Sequence, residues 1–302
     1  MQDVADPAET GPRQSVYAGP TALGTMRGTV PADVPELWSL AMSAPLLHSL
    51  DPRGVATLSL NRPEVGNAYN GDMIQGLLTA LDGLAGAGLR ALLLKGNGKH
   101  FQAGADLAWL RSVASASAEE NIRVSRATAE AIDRLNRLSV PTVALVQGGC
   151  FGGGTGIVAA CDIVIAADNA LFSISEVRWG LTAAIIIPQL SDAISVRQLR
   201  RYALTGERFG AQEAQRIGLV HQVVPSEHLA SAGEEMICRL LENAPEAMAQ
   251  TKATALMSAW GGFEQGTFDA LVEAHARKRQ TGEAAEGLAS FAEKRAARWS
   301  RG

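Results

Sequence analysis

Cys150-Phe151-Gly152-Gly153-Gly154-Thr155-Gly156-Ile157 is the stretch on which the reading of this chain turns. Before it runs Pro141-Thr-Val-Ala-Leu-Val146, short, apolar and β-branched, which predicts a buried strand. After it, Gly156-Ile-Val-Ala-Ala160 reads as a buried helix. Glycines at such a junction let the backbone come close to a ligand. They also leave N–H groups unpaired at the positive end of the helix dipole, where developing negative charge is stabilised. A second junction lies upstream in His100-Phe-Gln-Ala-Gly-Ala-Asp-Leu-Ala-Trp109, between the strand-like run Leu89–Lys95 and a helix expected to begin near Asp106. Ala103, Gly104 and Ala105 are its small residues. Two N–H donors from separate loops, aimed at one oxygen, form an oxyanion hole, and losing one such donor costs about 10²–10³ in rate. Taken singly, each stretch is equally well a plain tight turn.

Around these junctions strands and helices alternate. Val55-Ala-Thr-Leu-Ser-Leu60 reads as a strand, and Asn70 is placed to cap a helix with Ile74, Leu77, Leu78, Leu81 and Leu84 on one face. Ser117-Ala-Glu-Glu120 is a capping-box pattern opening a helix with Ile122, Ser125, Ile132 and Leu135 on one side. Asp162–Ala167 and Ala170–Ile174 read as further strands. Beyond about Ile185 strands nearly vanish and helices take over. The fold class is α/β with a helical appendage.

Four motifs in order carry a family likeness: Ser59-Leu-Asn-Arg-Pro63 with Asn67-Ala68, Phe101–Leu107, Phe151–Gly154, and Ala160-Cys-Asp-Ile163. They resemble the enoyl-CoA hydratase/isomerase (crotonase) superfamily, over a span from about Leu46 to Trp299. Gly104–Trp109 and Phe172-Ser-Ile-Ser-Glu176 are most similar to the branch that hydrates 3-methylglutaconyl-CoA and isohexenylglutaconyl-CoA. The resemblance implies a crotonase-like spiral of ββα repeats with C-terminal helices that trimerise, in a homotrimer or dimer of trimers. It implies an acyl-CoA thioester substrate, with coenzyme A as part of that substrate and no separate cofactor. Val65 to Ala68 and Ala103, Gly104, Ala105, Asp106 and Leu107 then grip the pantetheine and adenine, with Gly152 lining the same site. Gly66 stands where many relatives have a basic residue. Glu286–Arg295 resembles the family's C-terminal signature, in which Phe291 and Lys294 would contact CoA; a plain amphipathic helix is the alternative.

Glu176 is the candidate proton handler, following a strand at the place of the family's acid/base glutamate. Ile174, Val177 and Trp179 around it are expected to raise its pKa towards neutrality. Common hydratases carry a second glutamate where this chain has Gly156, which cannot transfer a proton. Leu181-Thr-Ala-Ala-Ile-Ile-Ile-Pro188 replaces a glycine-rich loop of many relatives, which suggests a greasier pocket and a branched acyl group, or simply core packing. Arg178, on an extended segment, would face the same way as Glu176 and could pair with a distal substrate carboxylate; a solvated surface arginine is the plainer reading. Trp109 either walls the acyl pocket or packs a helix into the core. The expected reaction is hydration, the thioester oxygen held by the Ala103 and Gly153 N–H groups and Glu176 moving the proton. Isomerisation, decarboxylation, C–C cleavage and non-catalytic CoA binding are the alternatives.

Composition agrees. The chain has 302 residues, 47% hydrophobic but only 5% aromatic, which suits an Ala/Leu/Val-packed α/β core. A net charge of −4 with no basic stripe argues against a nucleic-acid partner. No apolar run suggests a membrane span. Cys150, Cys161 and Cys238 lack metal-ligand spacing and read as buried thiols of a reducing, cytoplasmic compartment; no metal is expected. Residues 1–44 read as a flexible extension that could dock through Trp38, with Met42 as an alternative start; 45–245 form the core and 246–302 a C-terminal helical region.

Overall fold

Strands β1 (Leu46–Leu50), β2 (Val55–Leu60), β3 (Ala91–Gly96), β4 (Thr142–Val146), β6 (Ile163–Ala167) and β9 (Gln222–Val224) join in that order into a six-stranded sheet. The computed structural model describes residues 44–84, 88–260 and 281–300. The expected extension, with Trp38 and Met42, lies almost wholly outside the described residues. β1 and β2 form an antiparallel hairpin, its turn held by Asp51 Oδ1, which accepts from the Arg53 and Val55 N–H groups at 2.8 and 3.0 Å. Every other pairing in this sheet is parallel. Strand side chains alternate between two apolar layers: Val143, Leu145, Ile165 and Ala167 face one, while Ala144, Val146, Val164 and Ala166 face the other. Helix α7 (Leu229–Leu241) covers the first layer with Leu229, Ala232 and Ile237.

The second layer is filled by α1 (Gly71–Leu84), α3 (Ala118–Asn136), α4 (Gly153–Ala159) and α5 (Ile187–Thr205). Asn70 caps α1 as expected, its Oδ1 accepting from the Met73 N–H at 3.1 Å, and the expected face is buried. Ser117 Oγ caps α3 at Glu120 N, 3.2 Å. The other half of the capping box is not made, because the Glu120 carboxylate turns to Arg123 at 2.5 and 2.7 Å. Ile132 and Leu135 are buried but Ile122 is 60% exposed; Thr128 and Ala131 complete the face instead.

A second, three-stranded sheet joins β5 (Gly149–Phe151), β7 (Leu171–Ser173) and β8 (Phe209–Gly210). Two isolated parallel bridges, Gln102 to Cys150 and Tyr69 to Ala105, extend the pattern. The chain therefore repeats one move: a strand in the large sheet, a short extended piece beside it, then a helix. β2, Tyr69 and α1 make the first turn, and β3, Gln102–Ala105 and α2 (Leu107–Ala114) the second. β4, β5 and α4 make the third; β6, β7 and α5 the fourth. This is the expected spiral of ββα repeats. The small strands β5, β8 and β9, of three, two and three residues, carry too little period to be read from sequence.

The C-terminal part returns to the sheet through α6 (Ala211–Ile217), α8 (Pro245–Trp260) and α9 (Gly282–Ala292). Lys252 Nζ meets Asp162 Oδ2 at 2.7 Å, and the Glu283 carboxylate accepts from the Glu246 and Ala247 N–H groups that open α8. Arg90, just before β3, donates to the carbonyls of Leu241 and Trp299 at 3.0 and 3.1 Å. Cys150 and Cys161 are buried free thiols, as expected. Cys238 is not: it sits on the open side of α7 and is exposed. No described helix is long and apolar enough to cross a membrane.

Candidate active site

The four turns of the spiral deliver Tyr69, Ala105, Gly153 and Glu176 to one end of the parallel strands, each within or just after its extended piece. The two loops read from sequence lie side by side. Gln102 donates to Gly149 O at 3.1 Å and accepts from the Phe151 N–H at 2.9 Å. Their order is set by Asn67, fully buried in a left-handed backbone (φ 58). Its Oδ1 accepts from the Arg62 N–H, and its Nδ2 donates to the carbonyls of Asn97 and His100. One side chain thus fixes three segments around the first loop.

The donor expected at Ala103 is corrected by this geometry. The Ala103 N–H is engaged with Gly66 O at 2.8 Å. The Ala105 N–H, by contrast, has no partner among the described residues. In a parallel bridge one residue bonds to the two flanking its opposite number: Tyr69 takes Gly104 O at 2.8 Å and the Asp106 N–H at 2.9 Å. The Ala105 N–H between them therefore points to the other side. On the second loop Gly152 holds φ 52, ψ −125, a backbone that side-chain-bearing residues avoid, and it swings the chain from β5 into α4. Gly153 is the first residue of α4, so its N–H has no carbonyl within the helix to meet.

Glu176 opens a 3-10 turn, Glu176–Trp179, against this loop. A Cβ on Gly152 would lie 3.2 Å from its Oε1. Its Oε2 is buried and has no hydrogen-bond partner among the described residues. Burial pushes the carboxyl pKa up, partly opposed by hydrogen bonds from the Glu176 and Ser175 backbone N–H groups. The turn also corrects Arg178. Three residues per turn send i and i+2 in different directions, and Arg178 lies along Gly206, where a Cβ would come 3.0 Å from its Nε.

Gly156 is filled rather than empty. A Cβ there would lie 2.2 Å from Ile186 Cγ2 and 2.5 Å from its Cβ, so the Ile186 side chain occupies the volume a side chain at 156 would need. Ile186 is 1% exposed. Tyr69 was not singled out in the sequence. Its ring packs edge-on against Trp109, with centroids 5.7 Å apart, and reaches over Gly153. Its only sequence signal is the place after Asn67-Ala68. Asp106 caps α2 by accepting from the Ala108 and Trp109 N–H groups and pairs with Arg62 at 2.9 Å, so its side chain is occupied within the protein.

Of the residues expected to grip CoA, Val65, Ala103 and Leu107 are exposed, Gly104, Gly152 and Ala68 are buried, and Ala105 is half-buried. Lys294 is exposed beyond α9, and the Phe291 side chain lies outside the described residues. The contacts of this segment run from Trp299 to Arg90 and Glu242, near the start of β3. The oxyanion loops follow the other end of that six-residue strand, roughly 17 Å away. Among the described residues, no hydrogen bond or ion pair joins this segment to the Glu176 site of its own chain.

A cavity of about 820 Å³ lies elsewhere, between α8 and the segment Val158 to Val164, and does not include Glu176. Among the described residues no three His, Cys, Asp or Glu side chains gather as a metal site.

A sequence model of the enoyl-CoA hydratase/isomerase family matches residues 51–302. A Thermus thermophilus protein, provisionally assigned as an enoyl-CoA hydratase, is 37% identical over 246 residues, 81% of this chain and 97% of its own. A hydroxycinnamoyl-CoA hydratase-lyase from Pseudomonas fluorescens is 34% identical over 205 residues, 66% of this chain and 74% of that protein. The crystal structure of an enoyl-CoA hydratase from Shewanella pealeana matches with a TM-score of 0.82 at 36% identity, over 88% of this chain and 100% of the other. With the ββα spiral, the paired loops and the glutamate beside them in place, the chain belongs to the enoyl-CoA hydratase/isomerase (crotonase) superfamily.

Proposed function

We propose that the protein hydrates an α,β-unsaturated acyl-CoA thioester through an enolate, using one glutamate. The observation that carries this reading is the orphaned Glu176 Oε2 beside a loop with an open N–H at Gly153, faced by another at Ala105. The thioester oxygen accepts from both N–H groups. Glu176 removes a proton from water as the water oxygen bonds to the β-carbon. The π electrons move onto the thioester oxygen, and Glu176 then returns the proton to the α-carbon. Net, H and OH add across the double bond and the carboxylate is restored.

The acyl group in this proposal is branched and of glutaconyl type, which the Gly104–Trp109 and Phe172–Glu176 stretches and the apolar Leu181–Ile187 segment support. A second reading has its own support. Ile186 makes the face at Gly156 apolar, and a lone carboxylate opposite an apolar face suits proton transfer between the α- and γ-carbons, that is, double-bond isomerisation. The family's homotrimer or dimer of trimers is the proposed assembly, to be read from the mass in solution.

Turnover of a panel of straight and branched enoyl-CoA thioesters tests the reading. Hydration predicts loss of the conjugated-thioester absorbance with a matching hydroxyacyl product, and at least a tenfold preference in kcat/KM for 3-methylglutaconyl-CoA over crotonyl-CoA. Glu176→Gln is expected to lower kcat by about 10²–10⁴. A shifted double bond without gain of water selects isomerisation, and binding without turnover that Glu176→Gln leaves unaltered rejects both.

A further inference from the structure

We propose that the Tyr69 hydroxyl is a third hydrogen-bond donor to the thioester oxygen, joining the Ala105 and Gly153 N–H groups. This rests on the enolate reading above and deepens it. Tyr69 is the first turn's counterpart of the other three site residues, and it lies against two of them, Ala105 and Gly153. Its backbone bonds to Gly104 and Asp106 hold Ala105 facing the site. Its ring lies so close over Gly153 that a Cβ there would stand 2.7 Å from Cε1 and 3.2 Å from Oη. The hydroxyl is therefore beside the N–H that meets the developing oxyanion, and only glycine at 153 allows it.

The charge of Glu176 is near enough to act on the phenol. The ring is braced at its edge by Trp109, and Oη has no hydrogen-bond partner among the described residues. A phenol without a hydrogen-bond partner among the described residues has one O–H to offer a ligand. Burial, with Glu176 adding to it, pushes the Tyr69 pKa up to about 12, so the group stays protonated and donates rather than accepts.

The absorption of bound 4-(dimethylamino)cinnamoyl-CoA reads this directly, because polarising its thioester carbonyl shifts the band to the red without turnover. Tyr69→Phe keeps the ring on Gly153 and Trp109 and removes only the O–H. The expected result is a smaller red shift, binding within about twofold of wild type, and kcat down by about 10-fold to 10²-fold with KM little changed. The chain has three tyrosines, so wholesale replacement by 3-fluorotyrosine is practical. The more acidic phenol should deepen the shift, and Tyr69→Phe in that background should abolish the gain. A full red shift in Tyr69→Phe, or no response to fluorination, overturns the donor role. If wild type turns over no thioester while Tyr69→Phe still loses part of the shift, the reaction assignment fails and the donor role stands.

Discussion

Glu176 has one carboxylate oxygen beside backbone N–H groups and the other facing no partner, so ionising it costs more than ionising a solvated glutamate. As the base it must be charged. The acid limb of kcat/KM against pH is therefore expected above the ordinary carboxylate value of 4.5, and Glu176→Gln should remove it. Stability moves oppositely. A carboxyl whose folded pKa is raised binds its proton more tightly in the native state. Its contribution is complete below the unfolded value and is lost as pH rises through the raised one. Glu176→Gln should thus melt higher than wild type at neutral pH and alongside it in acid, as calorimetry at both pH values would show. A residue can be named from sequence and still have its neighbour misplaced. Ala103 and Ala105 look alike in the motif, and only the bridge to Tyr69 decides which N–H is left open.

Between elements, the decisive contact is the one α4 makes with the 3-10 turn Ala184–Ile186. Gly156→Glu should not create a two-carboxylate hydratase. Its Cβ alone collides with Ile186, and overpacking of this kind costs about 1–3 kcal/mol. Ile186→Ala alone leaves a cavity, at about 2–5 kcal/mol. The double substitution should be more stable than the sum of the two losses, a coupling that chemical denaturation of all four proteins would measure. The glycine itself was legible in the sequence, but the isoleucine that fills its place was not. Nothing in Leu181–Pro188 announces which of three consecutive isoleucines turns inward. The same limit hid the 3-10 turn at Glu176, where a strand-like continuation placed Arg178 on the wrong side. Helix α1 was legible because its burial repeats over 14 residues, and β4 because its short run is buried throughout.

Across the whole molecule, the terminal segment is held by charge. Glu286 on α9 is 7% exposed, accepts from Arg295 at 2.6 and 3.2 Å, and lies 3.1 Å from Arg298 Nε. The Arg295 guanidinium, opposed in part by desolvation, holds its carboxyl down at about 2. A depressed carboxyl contributes stability above its unfolded value near 4.5 and loses it as pH falls through about 2. Glu286→Gln should therefore raise amide exchange across residues 282–299 at neutral pH. That difference should shrink as the solution is acidified. Arg90 completes the attachment, and its partner Trp299 stands 209 residues further on. At about 5–20 residues per second on a ribosome, roughly 10–40 s pass between the emergence of that guanidinium and the last carbonyl it binds. Through that interval the Arg90 guanidinium has no Trp299 carbonyl to meet, which makes closure of the tail a late event in biosynthesis.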